Sequence, residues 1–121
     1  MEKAVVAALE GIKGRDIVVL KVAHLSPLFE RIIIASADST RQVKALADNV
    51  VQKLKAAGAQ VLSVEGEQTG EWVLVDLGAI VVHVMQPTIR QYYNLEELWD
   101  HPEPPKPRAR KKVAASQPAA G

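Results

Sequence analysis

Three consecutive isoleucines, Ile32-Ile33-Ile34, stand between Arg31 and Ala35-Ser36 and constrain the fold more than any other feature. Successive side chains of a strand point to opposite faces, so a strand here is apolar on both. Such a strand must be covered on both faces and belongs inside a sheet, not at its edge. Helices have to supply that cover. The apolar residues Val43, Leu46, Ala47, Val50, Leu54 and Ala57 recur at helical spacing just downstream. Ser39-Thr40-Arg41-Gln42 opens that run with the form of a capping box, and Gly58 closes it. The cap accounts for Ser39, which needs no reading as a nucleophile.

The remaining elements follow from pattern. Val5, Val6, Leu9 and Ile12 form a helical stripe over residues 3–13, closed by Gly14. Asp16–Val22 is short and β-branched, hence a buried strand, and Pro27 lies in the loop that follows. Three more strands are expected at Gln60–Val64, Trp72–Asp76 and Ile80–Met85. Asp76-Leu77-Gly78 reads as a tight turn joining the last two; a two-residue Leu77-Gly78 loop would set Trp72 opposite His83. Pro87 suits a helix start, and a short helical end runs from Arg90 to Trp99. The order α-β-β-α-β-β-β-α predicts an α/β fold: a mixed five-stranded sheet flanked by helices. A parallel, right-handed crossover from the second strand through the second helix to the third is expected.

Charge divides the 121 residues in two. Residues 1–100 carry ten Lys/Arg against thirteen Asp/Glu, whereas residues 101–121 carry five against one. Five of the seven prolines also fall in that last segment, which ends in an Ala-rich run. Residues 1–100 therefore read as the folded domain, and 101–121 as a disordered basic Pro/Ala-rich tail suited to weak contact with RNA. Cysteine is absent, so disulfides and thiolate chemistry are excluded. No apolar run is long enough to span a membrane, and Met1-Glu2-Lys3 does not begin a secretory signal, so a cytoplasmic protein is expected.

Catalytic signals are scarce. His24, His83 and His101 are too scattered for a metal-ligand spacing, and His83 within an apolar strand reads as a structural histidine. Glu65-Gly66-Glu67 sets two carboxylates at i and i+2, but the glycine points to a strand end or turn and solvated acids. No phosphate-binding glycine loop or nucleophile elbow occurs. No cofactor or metal is expected. The informative stretch lies between Lys55 and Arg90, where Lys and Arg are missing while Glu65, Glu67, Glu71 and Asp76 are present. Trp72, Leu74 and Asp76 share one face by alternation. Trp72 and Leu77 beside acids suit a contact with a basic protein surface, because tryptophan anchors interfaces and carboxylates pair with Arg and Lys. The plainer alternative is that Trp72 closes the core.

These residues resemble the ribosomal silencing factor family, also called Iojap-like. The resemblance is carried by Glu65-Gly66-Glu67, Trp72 through Gly78, Val81-Val82-His83-Val84-Met85 and Arg90-Gln91-Tyr92-Tyr93-Asn94-Leu95-Glu96-Glu97-Leu98-Trp99. Ser39 to Val43 and Ala47-Asp48 match in the helix, and the likeness covers nearly all of residues 3–100. Ala79 departs from the family, which usually has an acidic residue after the glycine. The resemblance implies a nucleotidyltransferase-like α/β fold used without catalysis, and homodimers. It further implies binding to a large-subunit ribosomal protein at the subunit interface, which blocks subunit joining in starvation or stationary phase. The expected partner-binding residues are Glu65, Trp72, Asp76, Leu77, Gly78 and Arg90. The competing expectation is a Mg-dependent nucleotidyltransferase-type enzyme, in which Glu65 and Glu67 would replace an aspartate pair.

Overall fold

The computed structural model describes residues 1–99, so the expected basic tail at 101–121 lies outside the described residues. Helix α1 spans Glu2–Gly11 and buries Val5, Ala8 and Leu9. It ends before the expected Lys13 because Lys13 itself turns left-handed, with φ 62°. The Gly14 N–H then donates to the Leu9 carbonyl at 2.8 Å, a Schellman closure in which the glycine is the second residue out. Helix α2, Thr40–Ala56, follows its sequence signals closely: the Ser39 hydroxyl accepts from the Gln42 N–H, and Val43, Leu46, Ala47, Val50 and Leu54 are buried. The Gln42 side chain reaches back to the N–H of Asp38 at 3.3 Å, one residue before the cap.

The five strands are β1 (Arg15–Lys21), β2 (Arg31–Ser36), β3 (Ser63–Glu65), β4 (Trp72–Asp76) and β5 (Ile80–Met85). They form one mixed sheet in the order β1-β2-β5-β4-β3. β2 is internal, as its isoleucines require, antiparallel to β1 and parallel to β5. The expected crossover from β2 through α2 to β3 does join parallel strands, but it passes over two others. β3 runs in the same direction as β2 but pairs with β4 at the far edge. The nearly continuous apolar β5 takes the interior place, while the three-residue β3 suits an edge.

The β4–β5 hairpin also differs from its expected register. Asp76 pairs with Val81, so Trp72 stands opposite Met85 and Leu74 opposite His83. The turn sits one residue later than expected: Leu77 N–H donates to the Ile80 carbonyl, leaving Gly78-Ala79 between them, and the Asp76 carboxylate accepts the Gly78 N–H at 2.9 Å. A slip of two positions leaves every side chain on its expected face. The helical end is two helices, α3 (Pro87–Tyr93) and α4 (Leu95–Trp99). Asn94, at φ 49° and ψ 56°, separates them in a left-handed conformation that asparagine tolerates.

α1 and α2 cover one face of the sheet, where Ile33, Ala35, Val73, Val75, Leu77, Ile80, Val82 and Val84 join the helix side chains in the main core. On the other face Leu20, Val22, Ile32, Ile34 and Met85 form a smaller cluster, packed by Phe29, Trp72, Ile89 and Leu95. Among the described residues, no helix is long and apolar enough to cross a membrane.

Candidate functional site

Strand register brings the acidic and aromatic residues together on this second face. Glu65 of β3 pairs with Leu74, and Ser63 with Asp76, so Ser63, Glu65, Trp72, Leu74 and Asp76 share it. Trp72 and Leu74 are half-buried and Glu65 is exposed. Glu65, Gly66, Trp72 and Leu74 line a shallow cleft of about 240 Å³. The cleft owes its shape to Gly66, whose φ is 89° and where a Cβ would strike the carbonyl oxygen of Trp72. Only glycine lets the β3–β4 connection close this tightly on the strand.

Trp72 sits in an aromatic row. Its ring centroid lies 5.7 Å from that of His83 and 4.9 Å from that of Tyr93, which in turn meets Tyr92 edge-on at 5.0 Å. The row starts in the core and ends in solvent, since His83 is 8% exposed and Tyr92 80%. Burial disfavours the imidazolium and lowers the His83 pKa to about 4, so the ring is neutral at ordinary pH. Glu67 and Glu71 are exposed in the β3–β4 connection and add negative charge near the Trp72 end.

Two expected contact residues are corrected by their surroundings. Leu77 is not an exposed hairpin tip; it is 5% exposed and belongs to the main core. Alternation continues past the end of β4, which puts Leu77 with Val73 and Val75 under the helices, away from Trp72. Arg90 is 8% exposed and its guanidinium is committed: two nitrogens donate to both Glu96 oxygens at 3.0 and 2.8 Å, and the third donates to Ser36 Oγ at 2.8 Å. Those hydrogen bonds hold the Glu96 carboxyl below its ordinary pKa. Arg90 ties α3 and α4 to the end of β2 rather than offering a surface contact.

Asp76 and Gly78 are half-buried at the hairpin end; Asp76 lies four residues from Trp72, about 13 Å along the strand, and Gly78 lies beyond it. The structure thus joins Glu65 with Trp72 and sets Asp76 and Gly78 apart. Leu74, Tyr92 and Tyr93 complete the exposed surface around Trp72. Leu74 was readable from alternation, while the tyrosines needed the fold of α3 back onto β4. Glu65 and Glu67 do not form a two-carboxylate wall, because Gly66 turns the chain between them. Among the described residues, no group of three or more His, Asp or Glu is placed to hold a metal ion.

Comparison with known proteins bears on the family and the fold. Residues 1–120 match the family described as "Ribosomal silencing factor during starvation". A Chromobacterium violaceum protein named "Ribosomal silencing factor RsfS" is 52% identical over 104 residues, covering 86% of this chain and 85% of that one. A crystal structure of a protein from the same organism superposes with a TM-score of 0.81 at 52% identity, over 86% of this chain and 87% of the other. A mouse protein named "Mitochondrial assembly of ribosomal large subunit protein 1" is 33% identical over 97 residues, 78% of this chain and 42% of its own length. The bacterial names describe a regulatory role rather than a catalytic one. With nearly its whole length matched and its sheet superposed, the chain belongs to the ribosomal silencing factor family.

Proposed function

We propose that this chain binds the large ribosomal subunit through a ribosomal protein at the intersubunit face. Occupying that face keeps the small subunit from joining and lowers translation in starvation or stationary phase. The observation that carries this reading is the acid-edged cleft on the second sheet face. A half-exposed tryptophan and leucine lie beside Glu65, which has no ion pair among the described residues. Completing the burial of Trp72 or Leu74 against a partner contributes on the order of 1–2 kcal/mol each. Glu65, Glu67 and Glu71 complement a basic partner and disfavour direct contact of this face with RNA. A name built on the large ribosomal subunit in the mouse relative points to the same subunit.

On this reading the protein acts in the cytoplasm and pairs with a second copy of itself. The basic segment 101–121 adds only weak contact with ribosomal RNA. Co-sedimentation with separated ribosomal subunits tests the proposal. Wild-type protein should pellet with the large subunit; Trp72→Ala and Leu74→Glu should stay folded and remain in the supernatant; removing 101–121 should leave most binding intact. Pelleting with the small subunit alone, or with neither, overturns it.

A further inference from the structure

The indole N–H of Trp72 has a dedicated acceptor. Its Nε1 lies 2.8 Å from Nδ1 of His83. An indole nitrogen only donates, so Nδ1 carries a lone pair and the imidazole proton sits on Nε2. Register explains the meeting: His83 faces Leu74 directly, and Trp72 reaches it on the diagonal, a span an aromatic side chain covers. Tyr93 backs the indole at 4.9 Å, and the tight closure at Gly66 holds its backbone.

Packing alone does not call for a histidine at this position. Its same-face neighbours along β5 are Val81 and Met85, and its cross-strand partners are Ile34 and Leu74. An aliphatic side chain would fill this apolar site without the cost of burying a polar ring. What the histidine adds is a single acceptor aimed at the indole. We infer that His83 is a positioning residue for docking: its Nδ1 holds the Trp72 indole in one orientation, so the anchor is ordered before the partner arrives. An anchor left free must be immobilised on contact, and that ordering is subtracted from affinity. The inference rests on the docking face proposed above.

Three replacements test it with purified large ribosomal subunits. His83→Asn keeps an acceptor on the same carbon that bears Nδ1; His83→Leu and His83→Phe keep bulk without one. A purely structural histidine would favour the apolar replacements in both melting temperature and binding. A positioning histidine splits the two readouts. The Leu and Phe variants should melt at or above the Asn variant yet bind about tenfold more weakly than wild type, the size of one hydrogen bond's ordering effect. The Asn variant should bind within about threefold of wild type. The indole N–H resonance of Trp72 should shift in the Leu and Phe variants and stay near its place in the Asn variant. In a Trp72→Phe background, which has no N–H to hold, His83→Leu should change binding no further. Wild-type binding by either acceptor-free variant overturns the inference, provided Trp72→Ala abolishes binding. If Trp72→Ala itself binds normally, the docking face is at fault instead.

Discussion

The two faces of the sheet use strands of the same β-branched composition and are finished in different ways. Against α1 and α2 the buried side chains are all aliphatic, and Val43, Leu46, Val50, Val73, Val75, Val82 and Val84 have no exposed surface. Against α3 and α4 the cover is seven and five residues long, and Ser36, His83 and Arg90 are buried with the apolar residues. Each of these three has a hydrogen-bond partner within the same face, as buried polar groups require. Beyond the reach of the short helices, Leu74, Asp76 and Val81 are left half-covered. One face is closed; the other leaves the Trp72 side chain half-exposed at the surface.

The largest expected effect separates the faces with one kind of substitution. Leu77→Glu puts a carboxylate into the main core with no partner, which should cost more than about 4 kcal/mol and unfold the domain. Leu74→Glu, three residues earlier on the half-covered face, should cost about 1 kcal/mol and leave a folded protein. Urea denaturation of the two variants distinguishes them. A folded Leu77→Glu with a wild-type midpoint would mean the hairpin end is not part of the closed face.

Acid should weaken the second face through His83. Its folded pKa, about 4, lies below the ordinary 6.5, so between those values the unfolded chain binds more protons. Stability from this group is therefore complete above pH 6.5 and is lost as pH falls toward about 4. The loss runs at about 1.4 kcal/mol per pH unit and reaches at most about 3 kcal/mol. Carboxylates titrate in the same window, so the measurement is wild type against His83→Asn in urea at a series of pH values. The wild type should lose about 2 kcal/mol more than the variant between about pH 7 and pH 5. Parallel curves would show that His83 is not held neutral by the fold.

Next in size is Arg90→Met, which releases both Glu96 and Ser36. Breaking a buried pair costs several kcal/mol, but the Glu96 side chain is 32% exposed and water takes up part of its charge. About 2 kcal/mol is expected, with α4 losing amide protection in hydrogen exchange before α2 does. Equal loss in both helices would mean that the second face is not a separate layer.

How much of this was readable beforehand depends on the range of each signal. Ser39, Gly58 and the α2 stripe act within one helix, and Ile32-Ile33-Ile34 demands cover on both faces wherever it lies. These local patterns placed the elements. The position of β3 depends on which strands pair, and three residues carry too little alternation to say. Arg90 reads as a surface cation until Ser36, 54 residues away, is seen against it. Leu77 is different, since its alternation with Val73 and Val75 was in view, but a glycine beside it suggested an exposed tip. Trp72 and Glu65 were in view from alternation, and the expected register already set His83 across from Trp72. The hydrogen bond between His83 and Trp72 was not readable, because it forms on the diagonal after the register moves by two.

On the closed face, Ser39→Ala removes the cap of α2. It should cost about 1 kcal/mol in urea denaturation while leaving large-subunit binding by the folded protein unchanged. A loss of binding there would couple the two faces.

The smallest effect belongs to Asp76, which lies on the second face but serves its own turn. The carboxylate accepts the Gly78 N–H, and Gly78 has φ 89°, so the side chain fixes the hairpin's first bend. Asp76→Asn keeps an oxygen at that position and removes only the charge. Stability should change by less than about 0.5 kcal/mol, the usual range for a surface substitution that preserves its hydrogen bond. Binding should weaken by no more than about fivefold, because a charge about 13 Å along the strand from Trp72 would lie at the rim of the proposed docking face, where solvent screens it. Asp76→Ala, which loses the acceptor as well, should cost about 1 kcal/mol in stability. If Asp76→Asn abolishes binding, the docking face is centred on the hairpin and Trp72 lies at its rim. Measured beside Trp72→Ala, the pair locates the centre of the contact along β4.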